Sequence, residues 1–408
     1  MFKSIWFLQL SLMTVKNHFG IDFFFEENEI YLDSATTGKL PQSSLIAMNE
    51  FYSKHGGGIN RGTHKIAHYA SRTLEKSRSL ISEIFSVENS QISFLPSRET
   101  AMINTLFSQR FEKESEIISS SLDDHSVITP LLNINKYFGA KIKFTGIEEE
   151  VDLVTSIQEK INPKTKAIVL SSLTLGMGVL RDWKSIVQLA ENNGLLFVLD
   201  ISNSIGHINY DFGRVSPDII ISSSNIGALG PYGASFQIMK TESENDFYPA
   251  LIGGGAVVSV NNSNYKLASA PYKFEPGSLN FAAISGLANS LQLLSKVGFD
   301  KIRKHEQNLR KILYEGLKDI KNIEIIEKNG LEFGPILSFF SNEIDSHDIA
   351  IIIEDLANIF VRSGALCSHL FMDEIKKESL VQISTHLYNT ENDINSLLEN
   401  LDAIMAEI

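Results

Sequence analysis

The chain has 408 residues, 43% hydrophobic and 21% charged, with a net charge of −13 at pH 7 and an isoelectric point near 5.3. These values exclude a disordered or fibrous chain. The acidic balance excludes nonspecific binding to nucleic acid or an anionic membrane surface, although a local basic pocket for one phosphate remains compatible with it.

The length exceeds what one hydrophobic core usually serves, so a large domain and a smaller one are expected. The opening residues, MFKSIWFLQLSLM, place a short apolar run behind one lysine. The run is too short to span a bilayer, and no small-residue cleavage site follows it. Residues 1–12 read as a start-site artefact, with Met13 as the true start, or as a short docking segment. Residues 1–29 as a whole read as an N-terminal segment packing on the small domain. No other apolar stretch is long enough for a transmembrane helix, so the expectation is a cytoplasmic protein with no membrane partner and no nucleic acid partner. A single cysteine, Cys367, allows no intrachain disulfide. Taken alone, such a residue reads as a small buried apolar side chain.

From Ile92 to Gly233 short apolar runs alternate with helical patterns. Residues 115–120, 166–172, 195–200 and 218–223 read as strands covered on both faces, because their apolar runs do not alternate. A helix between the second and third is capped by Asp182, buries Trp183, Ile186, Val187 and Ala190, and ends at Gly194. This order predicts right-handed crossovers and a mostly parallel sheet. Beyond it, Phe281–Lys318 reads as helical, 323–326 and 335–340 as strands, and Ile349–Ala357 and Asn392–Ile404 as helices. The fold class is α/β: a large domain over 30–285 and a smaller α+β domain over 286–408.

In open parallel sheets ligands bind beyond the carboxyl ends of the strands. Asp200 ends one strand, and Ser222, Ser223, Ser224 and Asn225 follow another. Ser97, Arg98, Glu99 and Thr100 open a helix after a third. A helix start with hydroxyls can hold a phosphate, and Ser97 can equally be an ordinary N-cap.

Together these segments resemble the SufS-type cysteine desulfurases within the class V aminotransferases. The resemblance rests on IYLDSATTGKLP (30–41), NRGTHKIAHYAS (60–71), RETAMIN (98–104), LDISNSIGH (199–207), GGG (253–255), FEPGSLN (274–280), RSGALCS (362–368) and LYNTENDI (387–394). It implies a fold-type I transferase-like large domain, a homodimer and pyridoxal 5′-phosphate as cofactor. It implies that Asp200 faces the pyridine nitrogen and makes the ring an electron sink. Asn203 would stand at the ring hydroxyl, and Thr100, Ser278 and Ser223 or Ser224 would hold the phosphate. Cys367 takes the place of the sulfur-accepting nucleophile, which must be reachable and at least partly a thiolate.

The pattern breaks at the Schiff-base lysine, whose place falls on Ile226 or Gly227; no lysine occurs from Ser185 to Met239. Only an amine forms the internal aldimine and then shuttles the substrate proton. The ring-stacking histidine aligns with Asp124, or with His125 after a one-residue slip. Leu175 stands where an active-site asparagine is expected, and Gln382 where an arginine would grip a substrate carboxylate. His64, His125 and His207 lie near the expected pocket, as a general base or as structural histidines. No spacing resembles a metal site or a nucleotide-binding loop.

The expectation is therefore a desulfurase-like protein, degenerate at the cofactor site, acting in sulfur trafficking or regulation beside an active cysteine desulfurase or a sulfur acceptor. Two rival expectations are an active desulfurase or related lyase using noncovalently held cofactor, and a module binding a small phosphorylated metabolite. The cofactor is expected to be held noncovalently at best, or to be absent.

Overall fold

A computed structural model describes residues 19–109, 111–240 and 247–407; the expectations for residues 1–12 lie outside them. Seven strands form the central sheet: β1 (Ile92–Leu95), β2 (Glu116–Ser120), β3 (Lys141–Thr145), β4 (Thr165–Ser171), β5 (Leu196–Asp200), β6 (Ile219–Ser223) and β7 (Ser235–Met239). Their spatial order is β1-β7-β6-β5-β4-β2-β3. The pairs β2–β3, β2–β4, β4–β5 and β5–β6 are parallel, and β7 runs antiparallel to both its neighbours.

Side chains of one strand alternate between the two faces of a sheet, and both faces here are covered. Ile168 and Leu170 of β4 join one apolar cluster with Ile118, Phe197 and Leu199. Ala167 and Val169 join another with Ile117, Val198 and Ile221. Both clusters are apolar, which is why these strands read as unbroken hydrophobic runs.

The predicted helix after β4 is present as Trp183–Asn193. Asp182 accepts from the Ser185 amide, and Gly194 closes the helix at φ +62. The stretch expected to be one helical region over 281–318 is two helices, Phe281–Val297 and Phe299–Asp319. Gly298, at φ +93, separates them, in a region glycine enters without steric cost.

A second sheet holds β8 (Ile323–Ile325), β9 (Ile336–Ser341), β10 (Arg362–Gly364) and β11 (Leu380–Ser384) in the antiparallel order β8-β9-β11-β10. Leu337, Phe339, Val381 and Ile383 pack there against Ile349, Ile353, Leu397 and Leu401 of the helices Ser346–Ala357 and Glu391–Ala406. Near the start of the described chain, Phe23 and Phe25 set their rings edge-on to Tyr388 at 5.1 and 5.6 Å. Among the described residues no helix is long and apolar enough to cross a membrane.

Candidate cofactor site and exposed cysteine

The segments after β1 and β2 and the carboxyl end of β5 meet in a buried cluster of charge. Asp200, the last residue of β5, is 1% exposed. Its Oδ1 accepts from the Ser202 amide at 2.7 Å and its Oδ2 from Arg98 Nη1 at 3.3 Å. Arg98 is the first residue of the helix Arg98–Ser108, and its guanidinium spans two acids. Nη2 donates to both oxygens of Asp124 at 3.1 Å. Asp124 in turn caps the helix His125–Phe138 by accepting from the Ser126 amide at 2.7 Å.

Burial works against the Arg98 cation, but the Asp124 and Asp200 carboxylates outweigh it and hold the guanidinium above its ordinary value. Burial raises Asp200, with Arg98 opposing it. Asn203 turns its amide to Asp124 Oδ2 (3.5 Å) and to the Leu173 carbonyl (3.3 Å).

Other sequence-singled residues fall into different surroundings. The Thr100 amide donates to Ser97 Oγ at 3.2 Å, so the helix start is closed by an ordinary N-cap. Ser224 Oγ donates to the Pro231 carbonyl. Among the described residues, Ser223 Oγ and Asn203 Oδ1 are buried without a partner. Ser278 is exposed, beside Asn60, Arg61 and Gly254 in an open groove, and no described contact joins it to Asp200. Gln382 on β11 is fully buried and donates to the Leu175 carbonyl at 2.7 Å, so these two residues are tied to each other.

Of the two residues where the tethering lysine is expected, Ile226 is 7% exposed, and Gly227 is closely packed, since a Cβ on it would stand 2.0 Å from the Ile205 carbonyl oxygen.

Cys367 is exposed, not a buried apolar residue. Leu366 and Cys367 have φ of +53° and +54°, a left-handed pair of non-glycine residues that presents the thiol at a sharp turn. Arg362 Nη2 donates to Cys367 Sγ at 3.1 Å. The Cys367 carbonyl accepts from the His125 amide at 2.9 Å. The His125 ring stacks on His369 with centroids 4.8 Å apart, and His125 Nε2 meets His369 Nδ1 at 2.9 Å. Burial, and then the His369 charge, lower His125. Sequence reasoning missed Arg362, His369 and the role of Arg98. Arg98 and Arg362 sat inside quoted motifs, but nothing in a motif tells where a long side chain ends.

Deeper in the fold His207, Glu306 and His386 bring ligand-type atoms within 4.8 Å of one another, a grouping no sequence spacing announces. His386 Nδ1 accepts from the Leu387 amide at 2.8 Å and its Nε2 meets the Gly227 carbonyl at 2.9 Å. With both His386 nitrogens engaged, the group is a hydrogen-bonded cluster. His64 accepts from the Ala67 amide and caps the helix Lys65–Phe85.

The seven-stranded, mostly parallel sheet with helices on both faces is the fold of the type I pyridoxal-phosphate transferases. The chain belongs to the class V aminotransferase family, whose profile matches residues 30–397. It is 29% identical to a probable cysteine desulfurase of Methanothermobacter thermautotrophicus over 92% of this chain and 95% of that one. It is 27% identical to another from Pyrococcus abyssi, over 93% and 95%. The apo structure of a cysteine desulfurase from Thermococcus onnurineus NA1 superposes with a TM-score of 0.88 at 25% identity, over 93% of this chain and 95% of that one.

Pyridoxal 5′-phosphate is therefore the cofactor that family resemblance supports. The residues present do not fit it. The acid that would hold the pyridine N–H already holds Arg98. Asp124, one of the two residues expected at the stacking position, is bound to the same guanidinium, and no lysine occurs from Ser185 to Met239, where the tethering amine is expected.

Proposed function

We propose that this chain is a cysteine-desulfurase-like protein that no longer runs the pyridoxal-phosphate cycle and instead receives sulfur on Cys367, as a trafficking or regulatory partner of an active desulfurase. The observation that carries this reading is the exposed Cys367 with the Arg362 guanidinium on its sulfur at 3.1 Å. An anionic sulfur is the nucleophile in such transfers, and a guanidinium is the partner that a thiolate or persulfide takes. The cysteine turn needs no cofactor for this step. The Cys367 thiolate attacks the outer sulfur of a donor persulfide, the donor S–S bond breaks, the donor leaves as its own thiolate, and Cys367 ends as the persulfide.

The test mixes the purified chain with an active cysteine desulfurase and cysteine and follows the Cys367 peptide by mass spectrometry. Gain of one sulfur atom, absent in Cys367→Ser and without the donor enzyme, is the expected result. A Cys367 that stays a plain thiol while the donor is charged refutes the reading. The same proposal includes a homodimer in the cytoplasm, checked by light scattering coupled to size exclusion. The rival reading, a working enzyme, rested on the retention of Asp200, and the Arg98 contact supplies another reason for that acid.

A further inference from the structure

Asp200 and Asp124 are each 1% exposed, and Arg98 is 7% exposed. A carboxylate removed from water needs a cation or several donors to compensate it. In a pyridoxal-phosphate site the acid at the strand end is compensated by the protonated pyridine nitrogen of the cofactor. Here a planar N–H donor of the same charge does so from within the chain, on the Asp200 oxygen that the Ser202 amide leaves free. The other edge of that guanidinium grips Asp124, at the position expected to stack on the cofactor ring. Asn203, expected at the ring hydroxyl, donates to the same Asp124.

We propose that Arg98 occupies the seat of the cofactor's pyridinium, so that the chain folds without pyridoxal phosphate and excludes it while Arg98 stays in place. The three partners come from separate elements: the end of β5, the start of the helix Arg98–Ser108 and the cap of the helix His125–Phe138. The guanidinium therefore also ties these elements together, as a cofactor otherwise would. Besides these two buried acids, the guanidinium has the exposed Glu99 carboxylate 3.5 Å from its Nε. Because the seat involves neither Cys367 nor Arg362, this inference stands or falls independently of sulfur transfer.

The test uses pyridoxamine 5′-phosphate, whose amine cannot form imines with surface lysines. Arg98→Ala alone leaves two buried carboxylates facing each other. The informative variant is therefore Arg98→Ala with Asp124→Asn, which removes one group of each sign and leaves Asp200 as the remaining buried acid. Equilibrium dialysis and thermal unfolding are read on both proteins. The expected result is no stoichiometric uptake by the wild type, and uptake with a raised Tm in the double variant. The affinity gain expected from freeing one buried charged contact is about tenfold to 100-fold. Stoichiometric uptake by the wild type overturns the proposal, as does a folded double variant that binds no better. A measurement on the wild type alone keeps the idea testable if the variant fails to fold. The Arg98 side-chain N–H signals in a 15N-arginine-labelled sample should exchange slowly with solvent and ignore added ligand. Fast exchange, or a shift on adding ligand, refutes the seat.

Discussion

Replacing Glu306 by glutamine should flatten the alkaline limb of the stability curve. Glu306 lies 3% exposed on the helix Phe299–Asp319, with both carboxyl oxygens 2.8 and 2.9 Å from His207 Nδ1 and one 3.6 Å from His386 Nδ1. Burial pushes both imidazoles down to about 3. Burial pushes the carboxyl up from 4.5 to about 8, with His386 and Arg303 pulling the other way. At neutral pH the acid is therefore protonated and donates to His207 Nδ1. The folded state holds this proton more tightly than the unfolded chain. The stabilisation is complete below the unfolded value and is lost as pH rises toward the folded one. At about 1.4 kcal/mol per pH unit, a slope that fades near the folded value, going from about pH 6 to about pH 7.5 removes roughly 2 kcal/mol. Glu306→Gln keeps a neutral donor for His207 and abolishes the titration. Urea unfolding at both pH values should show the wild type losing about 2 kcal/mol more than the variant. Equal losses would mean that Glu306 is already ionised at neutral pH and that the cluster is an ion pair.

Three further outcomes follow from other contacts. Arg181 is buried between Asp123 (2.6 Å) and Glu150 (2.6 and 3.0 Å); Arg181→Met should lower unfolding stability by about 3–5 kcal/mol, because it strands two buried acids. Gly227→Ala drives a Cβ onto the Ile205 carbonyl and should cost at least about 1–3 kcal/mol in chemical denaturation. Arg362→Ala should slow alkylation of Cys367 by iodoacetamide several-fold while leaving the unfolding midpoint nearly unchanged, since the pair it breaks is at the surface.

Runs such as 166–172 and 195–200 were legible because the middle of a strand covered on both faces takes apolar residues in succession, as Ala167–Leu170 of β4 and Leu196–Leu199 of β5 do. The Asp182 cap and the Gly194 stop were legible because capping chemistry is local. β7 was not: Ser235–Met239 carries a buried Gln237, which accepts from Thr105 Oγ1 at 3.3 Å, and a polar residue inside a five-residue strand erases the apolar run. β10, three residues ending in glycine, has too little pattern to read. Segments that carry the cluster could be singled out in the sequence, but its contacts could not. Arg98 reaches partners 26 and 102 residues away, and no periodicity reports where a guanidinium ends.

Retention of Asp200 and absence of the lysine look contradictory if both residues serve one ligand, and the geometry separates them. The acid needs any cation that can reach it, and Arg98 supplies one with a fixed planar N–H fork. The lysine, expected at Ile226 or Gly227, serves the aldimine and the proton transfer that follows it, so nothing retains it once the aldehyde has no role. The same logic applies across the pocket. Gln382, at the position where an arginine is expected to grip a carboxylate, donates to the Leu175 carbonyl and approaches Ser338 Oγ at 3.4 Å. Its second polar atom, Oε1, is buried without a partner among the described residues, so the exchange is incomplete and carries an unsatisfied-acceptor penalty of about 1–3 kcal/mol. Gln382→Leu removes that acceptor together with the bonds to Leu175 and Ser338. If the orphaned oxygen is the larger effect, the variant is as stable as the wild type or more so. A loss above about 2 kcal/mol on urea unfolding would show instead that the Leu175 bond holds β11 against the large sheet's loops.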